Sequence, residues 1–138
     1  MCLLKVYSVT NSFKSFEKIT KIPVYSTSEK GEQLGNESNN IRIDHKISFD
    51  VSEKDWDDFD GQVEDAIIFL AKHFDNLEQL FKTHNVTKAY LDFPIYSRLN
   101  TEIVNQNNNL PKELIVIAGK LNLGIEMAIY SIDAFDNE

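Results

Sequence analysis

Seven acidic residues, Glu53, Asp55, Asp57, Asp58, Asp60, Glu64 and Asp65, fall in one short stretch against a single base, Lys54. Carboxylates at that density could hold a cation. A calcium loop of the EF-hand kind needs oxygen ligands at positions one, three and five, glycine at six and glutamate at twelve. With Gly61 at six, Asp58 and Asp60 fit, but Trp56 stands at one and Ile67 at twelve. No metal site is expected. The same acids suit a helix N-terminus, which carries about half a positive charge. They equally suit a surface that steers a basic partner, and tryptophan is enriched where interfaces concentrate their binding energy. Asp55, Trp56, Asp57, Asp58 and Asp60 are therefore the candidate partner-binding residues, the plainer alternative being Trp56 packed as a staple against the helix start.

The remaining reactive types are dispersed. Cys2 is the only cysteine and lies in the apolar run Cys2-Leu3-Leu4, which raises a thiol's pKa and argues against a nucleophile. His73 and His84 are eleven residues apart, roughly on one helix face and too far apart to share a metal ion. The run from Lys30 to Gly35 lacks the spacing and the closing Lys-Ser/Thr of a nucleotide-binding loop. No catalytic set and no cofactor are expected. A small-ligand or enzyme site would have to use His45, Asp92 or Tyr96 between sheet and helices, and would require a pocket.

Charge narrows the partners. Of the formal net charge of -8, the acidic stretch supplies -6. Such a surface repels phosphate backbones, so a basic protein is the expected partner and nucleic acid is not. A single cysteine allows no intramolecular disulfide, no apolar run approaches the ~20 residues of a membrane span, and no basic leader opens the chain. These features point to a cytoplasmic protein without membrane attachment.

The elements that must carry these residues follow from periodicity. At 138 residues with 42% hydrophobic content, residues 1–138 suit one domain with one core. Residues 2–9 read as a strand, and Thr10-Asn11-Ser12 offers a cap to a short helix over 13–21 with Phe13, Phe16, Ile19 and Ile22 inward. Pro23 ends it, and 26–40 reads as a mobile polar loop. Residues 41–51 alternate, placing Ile41, Ile43, His45, Ile47, Phe49 and Val51 on the core face. Ser52-Glu53-Lys54-Asp55 resembles a capping box, and Val63, Ile67, Leu70, Phe74, Leu77 and Phe81 form the seam of one long helix over 60–83, roughly 36 Å at ~1.5 Å per residue. Residues 86–97 form a strand with Ala89, Leu91, Phe93 and Ile95 inward, and Pro94 requires an edge, a bulge or an end there. After an Asn-rich loop over 100–109, Pro111 opens a helix with Leu114, Ile117, Ala118 and Leu121 inward, which Gly124 punctuates. Residues 125–132 form the last strand, and 133–138 an acidic tail. Alternating strands have one solvated face. The expected fold is α+β, a two-layer sandwich whose mostly antiparallel sheet carries one long and two shorter helices on one face.

The order of these parts resembles an uncharacterised bacterial domain-of-unknown-function family, number four-two-seven-nine. The similar features are the opening strand, the Ile22-Pro23 step, the Lys30-Gly31-Glu32 turn, the long helix, and Leu110-Pro-Lys-Glu-Leu114 followed by Leu121-Asn-Leu-Gly-Ile125 and a strand ending at Tyr130. Phe49 stands where the resemblance implies tryptophan. The resemblance implies a bacterial protein and no known chemistry. The functional expectation is a non-catalytic protein-binding module, such as an immunity-type inhibitor of a basic toxin. The alternatives are a ligand or enzyme site near His45, and self-association through a sheet edge.

Overall fold

In a computed structural model of the chain, residues 1–36 and 39–135 are described. Among them, five strands and four helices follow the order β1 (Cys2–Ser8), α1 (Lys14–Ile19), β2 (Val24–Ser28), β3 (His45–Ser52), α2 (Phe59–Lys72), α3 (Phe74–Thr83), β4 (Lys88–Tyr96), α4 (Lys112–Lys120) and β5 (Gly124–Tyr130). The fold is α+β. One mixed sheet has the order β2-β3-β1-β4-β5, with β4 and β5 parallel and the other three pairings antiparallel. The parallel pair is joined through α4, since parallel neighbours need a crossover connection. No helix among the described residues is long and apolar enough to cross a membrane.

The period-two pattern has its expected consequence. Along β1, Cys2, Leu4, Val6 and Ser8 are buried while Leu3, Lys5 and Tyr7 are half-buried. The core-facing residues of β3 and β4, Ile47, Phe49, Leu91, Phe93 and Ile95, pack in the same cluster as Val63, Leu70, Leu77, Leu80 and Leu114 from the helices. Pro94 sits in an interior strand, yet the pairing of β4 with β1 ends at Asp92, so its missing N–H leaves no gap on that side.

Several expectations are corrected. The helix expected over 60–83 is two, because His73 leaves helical geometry at φ -107° and ψ 14°. Val63, Leu70 and Leu77 are buried on both sides of that break, so the seam continues across it and carries no trace of it. The expected loop over 26–40 contributes to a strand, β2, whose polar residues are tolerated at the sheet edge. Beyond it, Gly31 and Gly35 take φ of 93° and 65°, and backbone bonds between Gly31 and Arg42, Arg42 and Glu32, and Leu34 and Asn40 tie the loop back on itself. Residues 37 and 38 of that loop, and 136–138 of the acidic tail, lie outside the described residues.

Ile19, Ile41 and Ile43, expected inward, are exposed, since α1 ends at Ile19 and β3 begins only at His45. Ser52 does not cap a helix: its hydroxyl donates to Asp65 at 2.7 Å, and Asp58 caps α2 instead. Gly124 does not end α4. Asn122 adopts the left-handed conformation (φ 57°), with Asn122 N–H donating to Gly119 and Leu123 N–H to Ala118, a Schellman ending.

Candidate functional site

The chain leaving β3 at Ser52 must turn before α2 can begin, and that turn carries the acidic residues. Asp58 N–H donates to Asp55 C=O at 3.0 Å, and the Asp58 carboxylate accepts from Gly61 N–H at 2.9 Å, satisfying one free donor of the first helical turn. Gln62, fully buried, donates through Nε2 to Asp55 C=O and to Pro94 C=O, each at 3.0 Å. Tyr96 N–H donates to Trp56 C=O at 3.1 Å. Two contacts, the Gln62 bridge and the Tyr96 N–H bond, therefore hold the turn from Asp55 to Asp58 against the end of β4.

Trp56 is half-buried, and its indole meets three rings. Its centroid lies 4.8 Å from that of Tyr130 at an interplanar angle of 27°, 5.2 Å from Tyr96 and 5.5 Å from Phe135. The side chain is not a freely exposed ring. It joins the start of α2 to the ends of β4 and β5, whose register pairs Tyr96 with Tyr130.

Asp55, Asp57, Asp58 and Asp60 are all exposed. Asp55, Trp56, Asp57 and Tyr96 line an open concavity of about 400 Å³, two acidic and two aromatic residues. The structure thus brings Asp55, Trp56 and Asp57 together, employs Asp58 as the helix cap, and places Asp60 on the first turn of α2. Gln62, Tyr96 and Tyr130 complete the arrangement. Sequence reasoning misses their part in it because each is one residue in an otherwise ordinary helix or strand pattern. Chemically, such a concavity suits an ammonium or guanidinium group, which carboxylates attract and aromatic faces accept within ~6 Å.

His45, Asp92 and Tyr96 are not brought together. His45 pairs with Ser8 at one end of β1, and its Nδ1 lies 3.0 Å from Glu29 and 3.2 Å from the donating N–H of Lys30. Asp92 pairs with Leu3 near the other end of β1 and accepts from Lys5 Nζ at 2.7 Å. Tyr96 stands beside Trp56. Ser8 lies five residue steps along β1 from Leu3, about 17 Å of strand.

The solvated face of the sheet carries a cluster that sequence reasoning does not single out. The rings of Tyr7 and Tyr90 lie 6.2 Å apart at 13°, with Lys46 and Lys88 each 5.7 Å from the Tyr7 centroid. Burial pushes the Cys2 thiol well above its ordinary range, and the nearby Asp92 charge adds to the shift. Among the described residues, no group of three or more His, Cys, Asp and Glu side chains could hold a metal ion.

Comparison of the chain with protein-family models, with curated proteins and with solved structures gives no match.

Proposed function

We propose that the chain is a non-catalytic protein-binding module whose acidic entrance to α2 receives a basic partner, in the manner of an immunity-type inhibitor of a basic toxin in the bacterial cytoplasm. The observation that carries this reading is the concavity lined by Asp55, Trp56, Asp57 and Tyr96. A lysine or arginine of the partner enters between the two carboxylates and lies against the rings. The acidic stretch as a whole, -6 with these two carboxylates included, accelerates encounter and disfavours anionic competitors.

Pre-organisation supports the same reading. The turn is held by the Asp58 cap, by Gln62 and by Tyr96 N–H, so little conformational freedom is lost on binding. In this reading the domain is a two-layer sandwich with its helices on the buried sheet face, which leaves the entrance to α2 open. The resemblance to the domain-of-unknown-function family fits a small bacterial accessory protein and adds no chemistry.

The test is affinity capture from the source cells with the native chain and with Asp55→Lys/Asp57→Lys, both exposed positions that leave the core untouched. The expected result is a basic protein held by the native form, released by salt and lost with the variant, while circular dichroism of the variant is unchanged. A captured partner indifferent to both substitutions, or no partner at all, rejects the proposal.

A further inference from the structure

The two edges of the sheet are built differently. β2 is guarded: Pro23 precedes it, its register with β3 shifts between Val24 and Ser26, and Ser26, Thr27 and Ser28 are polar. These are the devices by which proteins prevent edge-to-edge pairing. β5 has none of them. Its register with β4 runs unbroken from Gly124 to Tyr130, it contains no proline and no lysine, and Glu126 is its one charge.

The side chains of β5 leave an apolar stripe uncovered. Register pairs Ile125, Met127 and Ile129 with Leu91, Phe93 and Ile95, all of which are buried in the core. Residues paired in this way share a sheet face. Ile125 packs partly against the core, yet Met127 remains 38% and Ile129 61% exposed.

Among the described residues, the backbone groups of the same three residues also have no partner. Ser97 N–H donates to Tyr130 C=O at 2.7 Å, so Tyr130 turns its polar backbone groups toward β4. That direction alternates along a strand. Gly124, Glu126 and Ala128 therefore face β4, and Ile125, Met127 and Ile129 present their N–H and C=O groups outward.

We infer that β5 is a homodimer interface, two copies pairing β5 antiparallel about a two-fold axis at Met127. Met127 is the middle residue of this seven-residue strand, so that centre pairs the whole of β5 with itself. Met127 then faces Met127 of the second copy, and Ile125 faces Ile129, forming about six new backbone hydrogen bonds through the outward groups. Glu126 faces Ala128, so no like charges oppose one another. The two apolar stripes become continuous, which buries Met127 and Ile129.

Charge selects the antiparallel arrangement. Through the Trp56–Tyr130 contact, the acidic turn lies beside the C-terminal end of β5. In the antiparallel pair, Tyr130 of one copy faces Gly124 of the other, so the two acidic turns stand about 20 Å apart along the strands, beyond a Debye length of ~8 Å. Parallel pairing would place them side by side.

Sedimentation measures the assembly, and single-cysteine cross-linking measures the register. The native chain is expected at twice 15.9 kDa, and Ile129→Lys, a change at an exposed position, at 15.9 kDa with an unchanged circular dichroism spectrum. Met127→Cys is expected to form an intermolecular disulfide on mild oxidation, because directly facing residues have Cα atoms about 5.5 Å apart. Ala128→Cys serves as the register control and is expected to cross-link far less. Cys2 is buried and does not interfere. A native chain that is monomeric at high micromolar concentration, a dimer indifferent to Ile129→Lys, or cross-linking stronger at position 128 than at 127 overturns the inference.

Discussion

Trp56 and Tyr130 stack with their ring centroids 4.8 Å apart, coupling the turn that leads into α2 to the last residue of β5. β5 is otherwise lightly covered, with Met127, Ile129 and Tyr130 exposed. Removing the indole therefore weakens the attachment of this strand as well as the turn. Trp56→Ala is expected to cost about 2 kcal/mol, below the full value for a buried tryptophan because the ring is only half-buried. Urea unfolding followed by circular dichroism checks this, and a midpoint equal to that of the native chain would show that the ring cluster contributes nothing.

Asp58 and Gly61 form a coupled pair. The Asp58 carboxylate caps α2 through Gly61 N–H, and a Cβ added at Gly61 would stand 2.7 Å from Asp58 Cγ. Asp58→Ala is expected to cost about 1 kcal/mol through the lost cap. Gly61→Ala, which in an open helix position gains ~1 kcal/mol, is expected to destabilise here because it displaces the cap. In the background of Asp58→Ala the same glycine substitution becomes neutral or stabilising. A double-mutant cycle on thermal unfolding reads this change of sign, and additive effects would rule the coupling out.

Gln62 is the buried link between the acidic turn and β4. Its Nε2 serves both Asp55 C=O and Pro94 C=O, while its buried Oε1 has no partner among the described residues. Gln62→Leu keeps the approximate volume and abandons two carbonyl acceptors, for an expected cost of about 2 kcal/mol. Amide exchange of Asp58, whose N–H donates to Asp55 C=O, is expected to quicken in the same variant. An unchanged exchange rate would mean that the turn is held without Gln62.

What the sequence made legible is what repeats. Leu91, Phe93 and Ile95 alternate and are buried, and Leu114 and Ala118 lie at helical spacing and are buried. The extra strand β2 was hidden because its hydrogen-bonding partner is supplied by β3, seventeen residues on from its last residue, rather than by any local apolar pattern. The break at His73 was hidden because the apolar seam passes through it. At Ile41 and Ile43 the alternation was real but outran the strand, and both side chains are exposed. The acidic residues of the candidate site were visible as composition. Their relation to Tyr96 and Tyr130 was not, because it depends on how β4 and β5 end side by side.

His84 gives the fold an acid sensitivity of known sign. Its ring lies flat against Phe13, 5.5 Å between centroids at 9°, and edge-on to Phe16 at 5.8 Å. Burial among these side chains lowers its pKa below the ordinary histidine value of 6.5. Burial lowers that of His73 as well, with Lys72 adding to the shift. A depressed pKa means that the folded chain refuses protons that the unfolded chain accepts. Stability from this source is complete above pH 6.5 and falls as the pH drops through that value toward the folded pKa, before most carboxylates titrate. The unfolding midpoint is thus expected to decline between about pH 7 and pH 5. His84→Gln removes a titrating ring, so the decline becomes shallower even if the variant is less stable throughout. An equal slope in native and variant chains would place the acid sensitivity elsewhere.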